Sequence, residues 1–267
     1  MIRPTFLNTV LLGGTPKEKL VAARDAGFDQ VELWTNDVDS FPGGASAIRD
    51  FATARGLGLT DYQVLLDFDG APGDRRAAKR AEAEHMLDTA VTLGASTVLV
   101  PASTDPECDH ARIADDLAWL VDQAHTRELR IAYEGMAWST VNNTIQRAWQ
   151  AICDLDRRHV GLVVDAYHLF VIGGRATDLD GIDPDRIFLV QLSDVEDQVA
   201  PSEYMDFARH SRLLPGEGRF PLANLIEQLD GMGYRGPLGL EVFNDALKAE
   251  PPVIIAAKAY AALQRAL

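Results

Sequence analysis

The chain is poor in several things, and each shortage narrows the field. Two cysteines, Cys108 and Cys153, occur in 267 residues. They are too few and too far apart for a disulfide framework or a Cys-x-x-Cys motif. Both are expected as reduced thiols, buried or half-buried, in a cytoplasmic protein. No apolar run reaches the roughly 18 residues of a membrane span. The opening Met1-Ile2-Arg3-Pro4-Thr5-Phe6 lacks the charged-then-apolar order of a secretion signal. Basic residues are scarce: 25 Lys and Arg against 40 Asp and Glu leave a net charge of −15. Such a surface repels phosphate backbones and anionic lipid, which argues against nucleic-acid and membrane partners. Histidine is also scarce, with six in all. No Gly-x-Gly-x-x-Gly turn follows the first strand candidate, and no Pro-, Gly- or Ser-rich linker or low-complexity tract interrupts the chain. A dinucleotide-binding open sheet and a second domain are therefore both disfavoured.

What is present is a regular alternation. Short runs rich in Val, Ile and Leu fall at 5–9, 30–34, 57–65, 97–101, 130–134, 160–165, 187–193 and 238–243. They are mostly continuous rather than alternating, as strands covered on both faces should be. Helical patterns fill 16–26, 45–55, 75–93, 111–127, 140–155, 221–232 and 253–267. The first of these has Thr15 as N-cap, Pro16 at the first helical position and Gly27 just past its end. A shorter, irregular helix is expected within 166–183, and 194–219 reads as a long loop of the kind that covers a site. Strands each followed by helices predict an α/β fold, a (β/α)₈ TIM barrel, as a single domain over 1–267.

Polar residues end four successive strand candidates: Glu134, Asp165, Gln191 and Glu241. A carboxylate at the end of an apolar run is costly to bury unpaired. On neighbouring strands all four point to the C-terminal mouth of the barrel, where this architecture carries its chemistry. Three acids gathered there call for a cation, and an all-oxygen donor set suits Mg²⁺, Mn²⁺ or Co²⁺. His168, three residues past Asp165, faces the same mouth and is the candidate general base. Arg209, His210 and Arg212 sit in the long loop and suit an anionic or oxygen-rich substrate. Glu32, ending the second strand, is placed to support a metal ligand from behind. Tyr62 and Trp138 are candidate pocket walls.

These residues resemble the sugar isomerase/epimerase-type, xylose isomerase-like barrels, and among them most nearly the bacterial 3-dehydroshikimate dehydratase family. The likeness runs over nearly the whole chain. It is densest in Tyr133-Glu134-Gly135-Met136-Ala137-Trp138, Asp165-Ala166-Tyr167-His168 and Phe188-Leu189-Val190-Gln191-Leu192-Ser193-Asp194. It continues in Arg209-His210-Ser211-Arg212, Pro215-Gly216-Glu217-Gly218 and Leu240-Glu241-Val242-Phe243-Asn244-Asp245. The resemblance implies a divalent metal on Glu134, Asp165, Gln191 and Glu241. It also implies a lyase that dehydrates 3-dehydroshikimate, or a related cyclic hydroxy-ketone, to protocatechuate, with catalytic roles for His168 and Glu134. One departure stands out. Where the family reads Gln-Pro-Phe-Arg-Asp-Phe-Glu-Gly, this chain has Leu66 in place of the arginine. A lost charge-assisted bond to a substrate carboxylate is worth about 1.5–3 kcal/mol. Either Arg209 or Arg212 replaces it, or the substrate is a polyol or inosose without that carboxylate, handled by an isomerase, epimerase or dehydratase. The partner expected is a small polyhydroxylated cyclic molecule, and a homo-oligomer is compatible with the sequence. A DNA-repair endonuclease on the same fold is disfavoured by the charge and by the lack of a basic stripe. A non-catalytic sugar-binding subunit is the remaining alternative.

Overall fold

Eight strands pair in parallel in chain order, and the first closes onto the last. A computed structural model describes residues 3–156 and 158–267; Met1 and Ile2, part of the N-terminal reading, lie outside them. The strands are β1 (Thr5–Asn8), β2 (Gln30–Trp34), β3 (Gly58–Gln63), β4 (Thr97–Pro101), β5 (Arg130–Glu134), β6 (Val160–Asp165), β7 (Ile187–Leu192) and β8 (Leu238–Leu240). Each lies where the sequence predicts a strand. The last is shorter than 238–243, because the chain leaves the ladder after Leu240 and Glu241 falls just beyond the strand.

The helices are α1 (Pro16–Ala26), α2 (Thr35–Ser40), α3 (Gly44–Thr53), α4 (Arg76–Leu93), α5 (Ile113–His125), α6 (Ile145–Ile152), α7 (Ala166–Phe170), α8 (Tyr204–His210), α9 (Leu222–Gly231), α10 (Asp245–Lys248) and α11 (Pro252–Ala266). Helix α1 starts and stops as its caps dictate. The Thr15 side chain accepts from Glu18 N while Glu18 reaches back to Thr15, and Gly27 takes the left-handed conformation at φ 112°. Two expectations are corrected. The helix predicted from 140 begins only at Ile145, with Thr144 as its cap. The residues before it form a loop in which the Ser139 hydroxyl accepts from Val141 N and Asn142 N, a local alternative to helical bonding. The stretch 194–219 is not all loop, since it contains α8. No helix among the described residues is long and apolar enough to cross a membrane.

Side chains alternate across the barrel wall. Leu7, Val31, Val98, Val100, Ile131, Tyr133, Leu162, Val164 and Val190 face outward into the main core beneath the helices. Phe6, Leu99, Ala132, Val163, Phe188 and Leu189 form a separate cluster that plugs the barrel interior. Gly239 makes room for that plug, because a Cβ there would collide with the Phe6 carbonyl and ring. One step further along, the inward positions become polar on β1 (Asn8), β5 (Glu134), β6 (Asp165) and β7 (Gln191), while β4 presents Pro101. That switch from apolar plug to acid ring positions the site.

The Asp194 carboxylate ties the long segment after β7 to the barrel. Its Oδ1 accepts from Val195 N at 2.9 Å and Phe220 N at 2.8 Å, and its Oδ2 accepts from Gly216 N and Gly218 N at 3.1 and 3.0 Å. A Cβ at Gly218 would run into the Val195 carbonyl and Asp194. The Pro215-Gly216-Glu217-Gly218 run is therefore a turn folded around a buried acid. The two cysteines are free thiols, both half-buried.

Candidate active site

Register carries the acids to one level. Asp165 is the ladder partner of Gln191, Glu134 pairs with Pro101 and Val163, and Glu32 pairs with Asn8 and Asp61. Glu134, Asp165, Gln191 and Glu241 are all buried. Glu134 and Glu241 share one space. The Glu134 carboxyl is pushed well above its ordinary range by burial first, then by Glu241 and Asp165. Burial likewise pushes Glu241 up to about 8, Arg212 working against it and Asp165 with it. Ligand atoms of Glu134, Asp165 and His168 lie within 4.8 Å of one another, a grouping able to hold a metal ion.

The donor atoms suit a hard divalent cation. Glu134 Oε1 and Gln191 Oε1 are buried without a hydrogen-bond partner, an arrangement that is costly unless something positive completes it. Gln191 is held from behind: its Nε2 donates to both carboxyl oxygens of Glu32, at 2.9 and 3.2 Å. That bond turns Oε1, the atom with metal-binding lone pairs, away from Glu32. Glu241 Oε1 accepts from Asn8 Nδ2 at 2.9 Å. Sequence reasoning missed Asn8, although a polar residue ending β1 was the available signal.

A cation of the protein's own is already in place, where the sequence suggested substrate binding. Arg212 is buried, and its Nη1 donates to Asp165 Oδ2 at 2.8 Å and to Glu241 Oε2 at 3.2 Å. Its Nε donates to the Ala208 carbonyl, and its guanidinium lies over the Tyr167 ring. Arg212 thus offsets part of the charge. Asp61 was also missed. It is fully buried, abuts Glu32, and is pushed up to about 7 by burial. Burial, and then the neighbouring Asp61, push the Glu32 carboxyl well above its ordinary range in turn. Five buried acids (Glu32, Asp61, Glu134, Asp165 and Glu241) therefore face a single buried guanidinium, which leaves room for more positive charge.

His168 is buried, and Trp138 meets its ring edge-on at 4.9 Å. Its Nδ1 accepts from Ala137 N at 3.2 Å, which assigns the ring proton to Nε2. Nε2 lies 3.7 Å from Asp165 Oδ2 and 3.8 Å from Glu134 Oε1. Burial lowers its pKa to about 4, with Asp165 opposing the shift, so the imidazole is neutral at neutral pH. The loop that carries Ala137 is braced by Tyr133, whose hydroxyl donates to Asp69 Oδ2 at 2.7 Å and accepts from Asn142 Nδ2 at 2.8 Å.

Above this cluster opens a cavity of about 340 Å³. Trp138, Arg209 and Arg212 line it, as the sequence suggested. Two further candidates are placed elsewhere. Tyr62 faces outward and packs in the main core, because the period of β3 turns Asp61 and Gln63 inward. His210 is exposed and pairs through Nδ1 with Asp245 Oδ2 at 2.9 Å. Glu32 lies behind Gln191 and does not line the cavity. The cavity wall is otherwise largely apolar, with Trp34, Val64, Leu66, Leu99, Pro101 and Met136 among its residues.

Known proteins are similar to this chain in sequence and fold. A 3-dehydroshikimate dehydratase of Pseudomonas aeruginosa is 36% identical over 245 residues, covering 91% of this chain but 38% of that protein. The chain thus spans about two fifths of the length of that relative. A solved fusion of a xylose isomerase-like TIM barrel with a 4-hydroxyphenylpyruvate dioxygenase superposes with a TM-score of 0.94 at 33% identity, over all of this chain and 43% of that one. The IolI protein with a bound zinc atom has the same fold, with a TM-score of 0.86 at 20% identity over 99% of this chain and 98% of that one. The family profile described as xylose isomerase-like TIM barrel matches residues 20–265, and the chain belongs to that family.

Proposed function

We propose that this barrel is a divalent-metal-dependent lyase that dehydrates 3-dehydroshikimate to protocatechuate. The observation that carries the proposal is the pair of buried, unpartnered oxygens, Glu134 Oε1 and Gln191 Oε1, in a ring of acids at the barrel mouth. The 36% identity to a dehydratase of that name supports the choice of substrate. Glu134, Asp165, Gln191 and Glu241 would hold the ion, with Mg²⁺, Mn²⁺ or Co²⁺ suiting oxygen donors. The chemistry such an ion supplies is charge that offsets the negative oxygen of an enolate.

The protein's own residues handle the proton. One C–H bond α to the carbonyl and the β-C–O bond break, and water leaves; a proton then moves from the ring methylene carbon to the carbonyl oxygen, which makes the ring aromatic, and no electron donor or acceptor is needed. His168 carries out both proton steps of the elimination at Nε2. In the tautomer fixed by Ala137, Nε2–H is a donor, suited to protonating the departing hydroxyl. Taking up the α-proton at the same atom requires the other tautomer and leaves the buried Ala137 N–H without its acceptor, a cost of about 1–3 kcal/mol. Glu134 Oε1 is the nearby acceptor that can exchange that proton. Trp138 and the loop under it exclude water from the imidazole.

Turnover of 3-dehydroshikimate tests the proposal. A conjugated ultraviolet chromophore should appear with Mn²⁺ and vanish with chelator. An isomer of unchanged mass, or no product with any of the three metals, would refute the dehydratase reading.

A further inference from the structure

We infer that Arg209 is the residue that grips the substrate's carboxylate, and hence that this site selects cyclic substrates anionic at the end remote from the acid ring. The inference rests on the proposed reaction only for its choice of substrate class. Two arginines line the cavity, Arg209 and Arg212, and the structure separates their roles. Arg212 is buried and spends Nη1 on Asp165 and Glu241 and Nε on the Ala208 carbonyl. Its charge is already matched by acids. Arg209 lies three residues earlier, in the last turn of α8, and is exposed; its side chain has no hydrogen bond or ion pair to any described residue. Its neighbour His210 is engaged by Asp245. In a chain with 40 acids and 25 Lys and Arg, an arginine left without an acid at the mouth of a cavity is available to a ligand.

Among the described residues that line the cavity, Arg209 is the cation not already matched by acids; the other unpartnered donors there, Trp34 Nε1, Gln63 Nε2 and Trp138 Nε1, are neutral. Leu66 is 44% exposed and lines the same cavity beside Val64, Pro101 and Phe243. The Ala208 side chain is a methyl group. The floor holds Glu134 and Glu241, which repel an anion. A negatively charged ring can therefore enter in one orientation: oxygens toward the acid ring and its cation, carbon faces against the apolar wall, and carboxylate toward Arg209. The planar guanidinium matches a carboxylate with two parallel donors.

The test uses the Mn²⁺-loaded protein and two probes that differ only in the carboxylate, 3,4-dihydroxybenzoate and catechol. Quenching of intrinsic tryptophan fluorescence reports binding, since Trp34 and Trp138 line the cavity. Wild type should bind 3,4-dihydroxybenzoate at least about tenfold more tightly than catechol. Arg209→Met should close that gap by weakening the benzoate alone, and Arg209→Lys should keep part of it. Arg209 is exposed, so neither variant threatens the fold. Equal affinities in wild type, or an undiminished gap in Arg209→Met, would overturn the inference. A gap without turnover of 3-dehydroshikimate would uphold Arg209 and remove the proposed reaction; turnover without a gap would do the reverse.

Discussion

Replacing Glu241 by glutamine is expected to abolish metal-dependent turnover while making the metal-free protein more stable. Both effects have one origin. Burial holds the Glu241 carboxyl at about 8 against an ordinary 4.5. An acid whose pKa is raised on folding stabilises the fold only while it stays protonated. Its contribution is intact below about 4.5 and is lost as pH rises through about 8, at a cost of roughly 3–5 kcal/mol. Glutamine is neutral throughout and can still accept from Asn8. The metal-free Glu241→Gln variant should therefore melt several degrees above wild type at pH 9, roughly 5 °C or more, with the difference fading toward pH 5. Activity should fall about 10³-fold or more, because a charge that balances the cation is gone. Saturating metal should restore wild-type stability at pH 9, since it binds only the folded state. Thermal melts at pH 5, 7 and 9, with and without Mn²⁺, read both signs. An unchanged midpoint at pH 9 would mean that Glu241 pays no penalty in the fold.

Replacing His168 by asparagine is the second large effect. General acid–base catalysis contributes about 10²–10⁴-fold, and kcat should drop by that much. KM should move little, and Mn²⁺ affinity should hold because the four proposed donors are oxygens; a large loss of Mn²⁺ affinity would instead put Nε2, 3.7 and 3.8 Å from Asp165 and Glu134, among the ligands. Exchange of the substrate's α-hydrogen with deuterated solvent, followed by NMR without turnover, isolates the first proton step. It should be lost with kcat. If exchange persists while elimination fails, Glu134 takes the α-proton and His168 acts only on the leaving hydroxyl.

The sequence was most legible where a residue's role follows from its own strand. Apolar runs that end in an acid on three strands and an amide on a fourth, all successive, located Glu134, Asp165, Gln191 and Glu241 near the mouth, because strand ends in a parallel barrel are already aligned. Glu32 sits in the middle of β2 rather than at its end, and its inward face carries it to Gln191. Arg212 was not legible. Its place between Asp165 and Glu241 depends on how the segment after β7 folds back around Asp194, a contact spanning 47 residues to Asp165. Tyr62 and Asp61 exchanged roles, because the inward phase of β3 was not read from its mixed polar and apolar residues. An acid inside that strand should have signalled an inward face. His210 looked functional beside two arginines, yet helix α8 turns it toward Asp245. The early start given to α6 missed residues 140–144 of the loop, among them Asn142, which donates to the Tyr133 hydroxyl.

Counting Mn²⁺ ions by electron paramagnetic resonance is the most direct trial of a shared cation at the acid ring. Wild type should bind one ion per chain, and the Glu134→Gln/Glu241→Gln double variant should bind at least about 100-fold more weakly. Tight, unaltered binding by the double variant would place the metal elsewhere and leave the acid ring without the ion that its chemistry requires.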